Sequence, residues 1–201
     1  MKLFWNLACE IFTCLKQTGI NVPPSHRFFN QPKITNDSQM LEEIHVDISF
    51  TEDERLLIRQ AAKDFEYFSN DQVSFDLRFD LDPTDEEAIK NQAVMLRVDK
   101  TYPLVVEMDG YYNQTILGLC MYREEHDAVY MVYDRLSNPI TFRTTAIHEL
   151  GHFMGLDHTV GRSIMYKHNM NNVLYPTYID AVEFAKTYDC KPEELRYFKI
   201  I

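Results

Sequence analysis

The segment His148-Glu149-Leu150-Gly151-His152-Phe153-Met154-Gly155-Leu156-Asp157-His158 fits the pattern HExxHxxGxxH at every fixed position. Residues four apart on a helix share one face, about one turn apart, so His148 and His152 can grip one ion from the same side. Gly155 can take the left-handed conformation that ends a helix. The chain can then reverse and deliver His158 as a third nitrogen ligand. Three imidazoles leave one position of a tetrahedral Zn2+ open, the arrangement of catalytic rather than structural sites. Glu149 directly follows the first ligand, where it can reach water at the open position as a general base. The plain alternative, a helix of core histidines beside a glutamate, would bury polar groups at a cost unless each found a partner. Chance produces the whole pattern in only ~2 of 100,000 chains of this composition.

A length of 201 residues suits one domain, or one domain with an extension. Hydrophobic residues at 45% and aromatics at 13% indicate a packed core rather than disorder. No uninterrupted apolar run reaches ~18 residues, so no stable membrane span is expected. The net charge of −11 argues against nucleic acid or an anionic membrane as the main partner. That charge is unevenly spread. Residues 1–40 carry Lys2, Lys16, Arg27 and Lys33 against Glu10 and Asp37, a net +2, which leaves −13 for the rest. The split marks a boundary near residue 40. Residues 1–40 are expected to be an N-terminal extension (signal, prosegment or packed arm), and 41–201 the catalytic domain.

The first 18 residues resemble a signal peptide only loosely, because Asn6 and Glu10 interrupt the apolar run. Leu3, Leu7, Ile11 and Leu15 read equally well as an amphipathic helix. Four cysteines (Cys9, Cys14, Cys120, Cys190) are too few for a disulfide scaffold and lack zinc-site spacing. Buried free thiols are the simple reading; a Cys9–Cys14 or Cys120–Cys190 bridge stays open.

Along the body, residues 44–50 alternate apolar and polar, which predicts a half-buried strand. Thr51 and Glu54 have capping-box spacing, and Leu56, Leu57, Ala61, Phe65 and Phe68 place a stripe on the helix that follows. Strands are predicted at 73–79 and 93–98, and a strand pair at 115–122 and 128–133. Residues 104–108 are expected to form a short strand or ordered loop, with a turn at Asp109-Gly110. Asn138-Pro139 opens a helix as N-cap and first residue. His45, His126 and His168 are not expected to be ligands. The pattern predicts α+β architecture with α/β-type layering and a mixed sheet.

Met165 in Ser163-Ile164-Met165-Tyr166 lies seven residues beyond His158. With the zinc motif, this segment resembles the Met-turn of the metzincin metallopeptidases. The short spacing, the Ile-Met-Tyr triplet and the segment Thr177–Tyr188 look most like the matrixins. The resemblance covers about residues 44–190. It implies a zincin fold: a twisted mixed sheet, a long helix, an active-site helix and a small C-terminal helical subdomain. It further implies one catalytic Zn2+ on His148, His152 and His158, Glu149 activating the zinc-bound water, and hydrolysis of peptide bonds as an endopeptidase. Met165 would floor the site, and Asp180 would reach the Met-turn, cap the last helix, or both. The edge strand with Gly118, Leu119 and Cys120 would bind a peptide or protein substrate by β-augmentation. The loop 166–176 would wall the pocket for the side chain after the scissile bond. A secreted or cell-envelope monomer is expected. The chain departs from the family in carrying Thr159 where matrixins usually have Ser. It also has no match to the loop that holds their structural metals. Two rival readings remain: an inactive zinc-binding interaction module, and a zinc hydrolase of a non-peptide amide.

Overall fold

The computed structural model describes residues 39–122, 126–168 and 173–198. The expectations for residues 1–38, including Cys9 and Cys14, and part of the loop 166–176 lie outside these residues. Five strands and five α-helices are found among these residues, in the order β1 (Met40–Asp47), α1 (Glu52–Phe68), β2 (Val73–Leu81), α2 (Glu86–Asn91), β3 (Val94–Val98), α3 (Pro103–Tyr112), β4 (Gly118–Met121), β5 (Ala128–Val132), α4 (Pro139–Phe153) and α5 (Tyr178–Tyr188).

The strands form one sheet in the order β2-β1-β3-β5-β4. The first four run parallel, and β4 pairs antiparallel with β5 at the edge. Parallel neighbours need crossover connections, and helices supply them. β5 is buried at all five positions, as a near-continuous apolar run predicts for a covered strand. This is a mixed α+β fold with a mostly parallel sheet.

β1 starts and ends earlier than its alternation suggests. Buried Asp47 ends it by accepting from the amides of Ser49 and Arg97. α1 opens with the expected capping box between Thr51 and Glu54. Its buried face is Ile58, Ala61, Ala62, Phe65 and Phe68; Leu56 faces solvent. Phe65 and Phe68 meet Phe184 of α5, and Phe65 also meets Phe75 of β2. α5 therefore shares the core of the sheet and α1.

One segment departs from expectation. Residues 104–108 are helical within α3, not a strand or loop, and Asp109-Gly110 lies inside that helix. Pro103 starts the helix, and Asn113 ends it in the left-handed conformation. The Asp109 carboxylate is taken by Arg135 and the amide of Ile116 instead of by a local turn. The Arg135 hydrogen bond holds its pKa below the usual carboxylate range. α2 was not anticipated; Asp85 caps it.

Candidate metal centre

α4 begins as its sequence requires, with the Asn138 side chain accepting from the amides of Ile140 and Thr141 and Pro139 at the first position. The helix ends at Phe153, and Gly155 takes φ 81°, the left-handed value that a side chain disfavours. The amides of Gly155 and Leu156 bond back to the carbonyls of His152 and Gly151. The reversal brings His158 over the helix. One ring nitrogen of each of His148, His152 and His158 lies within 4.8 Å of the others.

The ring orientations are set by backbone partners. His148 Nδ1 is 2.7 Å from the carbonyl of Ile164, and His152 Nδ1 is 2.8 Å from that of Leu156. A carbonyl can only accept, so both Nδ1 atoms carry the proton and both Nε2 atoms present lone pairs. His152 Nε2 stands 3.1 Å from His158 Nε2. Three nitrogens around one zinc at about 2.0–2.1 Å stand roughly 3.3 Å apart, so the triad fits this ion. Burial lowers the pKa of His148 and favours the neutral ring that a ligand needs.

Glu149, the residue after His148 on the same helix, is 4% exposed. Burial pushes its carboxyl up to about 8, and Oε2 has no hydrogen-bond partner among the described residues. Gly118 of the edge strand covers it. A Cβ there would lie 2.6 Å from Glu149 Oε1 and 2.8 Å from Thr145 Cγ2, so only glycine lets β4 approach this closely. Leu119 and Cys120 continue the strand, paired with Tyr130 and Val129 of β5. Cys120 and Cys190 are half-buried thiols that are not joined in a disulfide.

Buried Met165 lies against Gly151, where its sulfur occupies the space a Cβ would need. The turn carrying Met165 is fixed by Asp180. That carboxylate accepts from the Ser163 hydroxyl and from the amides of Ile164, Met165 and Thr177. Thr177 and Asp180 also form the capping box of α5, so one side chain serves turn and helix together. The Ser163 proton goes to Asp180, so the 2.5 Å contact between Thr159 Oγ1 and Ser163 Oγ must be donated by Thr159. The hydroxyl of Thr159 thus performs a hydrogen-bonding role. His45 bonds Asp80 and Glu43; His168 packs on Tyr166.

Two functional neighbours escaped the sequence reading. The Tyr122 hydroxyl donates to the carbonyl of His152 at 2.9 Å. The buried Tyr188 hydroxyl donates to the carbonyl of Met154 at 2.7 Å. Burial raises the Tyr122 pKa, and the nearby acidic groups add to the effect, so this phenol keeps its proton. No periodicity marks a tyrosine as the donor to a particular carbonyl 30 residues away.

The family model for matrixins (Peptidase_M10) matches residues 26–182, well over half of the chain. The chain belongs to the matrixin family, within the metzincin-type metallopeptidases. Among solved structures it is similar to metalloproteinase-II from Bacteroides fragilis, at 12% identity and TM-score 0.48, over 82% of this chain and 60% of that one. It is also similar to the archaemetzincin of Methanopyrus kandleri, at 13% identity and TM-score 0.43, over 79% of this chain and 90% of that one. This chain thus spans about three-fifths of the length of the Bacteroides protein. No curated protein matches it.

Proposed function

We propose that this protein is a zinc-dependent endopeptidase. The observation that carries the reading is a buried carboxyl, Glu149, on the same helix end as three histidines whose ring nitrogens converge within 4.8 Å. His148, His152 and His158 would hold the ion. Zinc, when bound, supplies a Lewis acid that polarises a carbonyl oxygen and makes water a stronger acid. Glu149 accepts a proton from the attacking water and returns it to the departing amine. A carboxyl pushed up to about 8 by burial suits both halves of that task near neutral pH.

The edge position of β4 supports a peptide substrate. An extended chain adds there as a further strand, beside Gly118, Leu119 and Cys120, and the Gly118 backbone already lies against Glu149. Met165 serves as an apolar floor that Asp180 holds in place. Residues 1–40 are an extension of the domain that follows, and N-terminal sequencing of the native protein tests that division. No described helix is long and apolar enough to cross a membrane.

Cleavage of a peptide library, with and without a chelator, tests the reading. The expected result is internal cleavage that stops with the chelator and returns with zinc. Glu149→Gln should keep zinc and lose about a thousand-fold or more in turnover, because a general base contributes ~10²–10⁴. His152→Ala should lose both metal and activity. Zinc binding without cleavage of any peptide would favour the inactive interaction module. Turnover confined to non-peptide amides would favour the third reading.

A further inference from the structure

His152 lies in the last turn of α4, where its carbonyl has no amide four residues on to accept. The amide of Gly155 at 2.7 Å and the phenol of Tyr122 at 2.9 Å both donate to it. The first belongs to the helix reversal and comes with the motif. The second does not. Tyr122 is the residue immediately after β4, the outermost strand of the sheet. One hydroxyl thus spans from the end of the edge strand to the backbone of a metal-ligating histidine. The ring of the same histidine is held independently, through Nδ1 and the carbonyl of Leu156. Carbonyl and ring together leave His152 little freedom to rotate or shift.

We propose that Tyr122 is a positioning residue of the metal centre, tying the strand on which a peptide would dock to the backbone of His152. The inference rests on the metallopeptidase reading above. The tether gives the edge strand and the metal ligand one shared rigid contact. A shift of β4 therefore moves the carbonyl of His152, and with it the imidazole. Phenylalanine at this position would fill the same space and make no tether.

The test is zinc affinity of the full chain, measured by competition with a chromogenic chelator, together with the visible absorption bands of the cobalt-substituted protein. Tyr122→Phe is expected to bind zinc about ten-fold more weakly, the low end for losing an outer partner of a metal-bound histidine. Its cobalt bands should shift, because they report ligand geometry. Replacing Tyr122 by 4-aminophenylalanine keeps a ring-borne donor in place and should restore both readouts. Should the Phe variant fail to fold by circular dichroism, 4-fluorophenylalanine fills the hydroxyl volume without donating and answers the same question. Wild-type affinity and wild-type cobalt bands in a folded variant lacking the donor would overturn the tether. A wild-type protein that binds no zinc would instead refute the metallopeptidase reading, a result visible before any variant is made.

Discussion

The two longest helices among the described residues, α1 and α4, pack against each other and follow opposite rules. α1 buries one face, built on Ile58, Ala61, Ala62, Phe65 and Phe68, and gives the other to solvent. α4 is buried nearly all round, with Thr144, Thr145 and Glu149 inside beside Phe142, Ile147, Leu150 and Phe153. An amphipathic helix is held by its apolar stripe. A helix proposed to present histidines to an ion and a carboxyl to a substrate accepts buried polar groups, and several of them are answered by carbonyls around them. Thr144 bonds the carbonyls of Ile140 and Thr141; His148 and His152 bond carbonyls beyond the helix. Oε2 of Glu149, the single carboxylate of α4, has no hydrogen-bond partner among the described residues, and that is where proton transfer is proposed.

The contrast can be broken by measurement. Phe65→Ala empties the centre of the aromatic cluster between α1, β2 and α5. It should cost about 3–5 kcal/mol in urea unfolding. Zinc bound per folded molecule should not change. A loss of zinc stoichiometry in the folded fraction would show that α1 does more than support α4.

The second measurement concerns pH. In the zinc-free protein Glu149 titrates at about 8 when folded, against an ordinary value of 4.5. The folded state therefore keeps a proton that the unfolded state has released. Stability is undiminished below about 4.5, falls as pH rises, and levels off above about 8. The slope approaches roughly 1.4 kcal/mol per pH unit between those values. Glu149→Gln has no charge to bury, so with chelator present its melting temperature should fall less than wild type between pH 5 and 9. Parallel melting curves would show that Glu149 is not desolvated.

The smallest effect is at the start of α1. Thr51→Ala removes the cap that accepts from Glu54 and should cost about 1 kcal/mol, with peptidase activity at saturating zinc unchanged. A change in activity there would blur the division between a scaffold helix and a working one.

Much of the site was legible because its rules are local. The spacing of His148, His152 and His158 sets which side chains can share an ion. Gly155 marks the reversal, Asn138-Pro139 the start of α4, and Thr51 with Glu54 the start of α1. Asp180 is expected to reach the Met165 turn, to cap α5, or both, and its carboxylate does both. The segment 103–112 was misread because Asp109-Gly110 looks like a turn when taken alone. Arg135, far along the chain, claims the aspartate in the folded protein and leaves the helix intact. Tyr122 carried no signal for the same reason, since its partner is a carbonyl supplied by another element.

By itself the sequence determined which residues could meet one metal ion, where α1 and α4 begin, and that the body folds as α+β. Those properties follow from spacing, caps and periodicity, which act over a few residues. Only the tertiary structure decided that Gly118 presses on Glu149, that this carboxyl holds its proton to about pH 8, and that Tyr122 reaches His152. Desolvation and close packing depend on atoms from distant parts of the chain, and only the closed fold brings those atoms together.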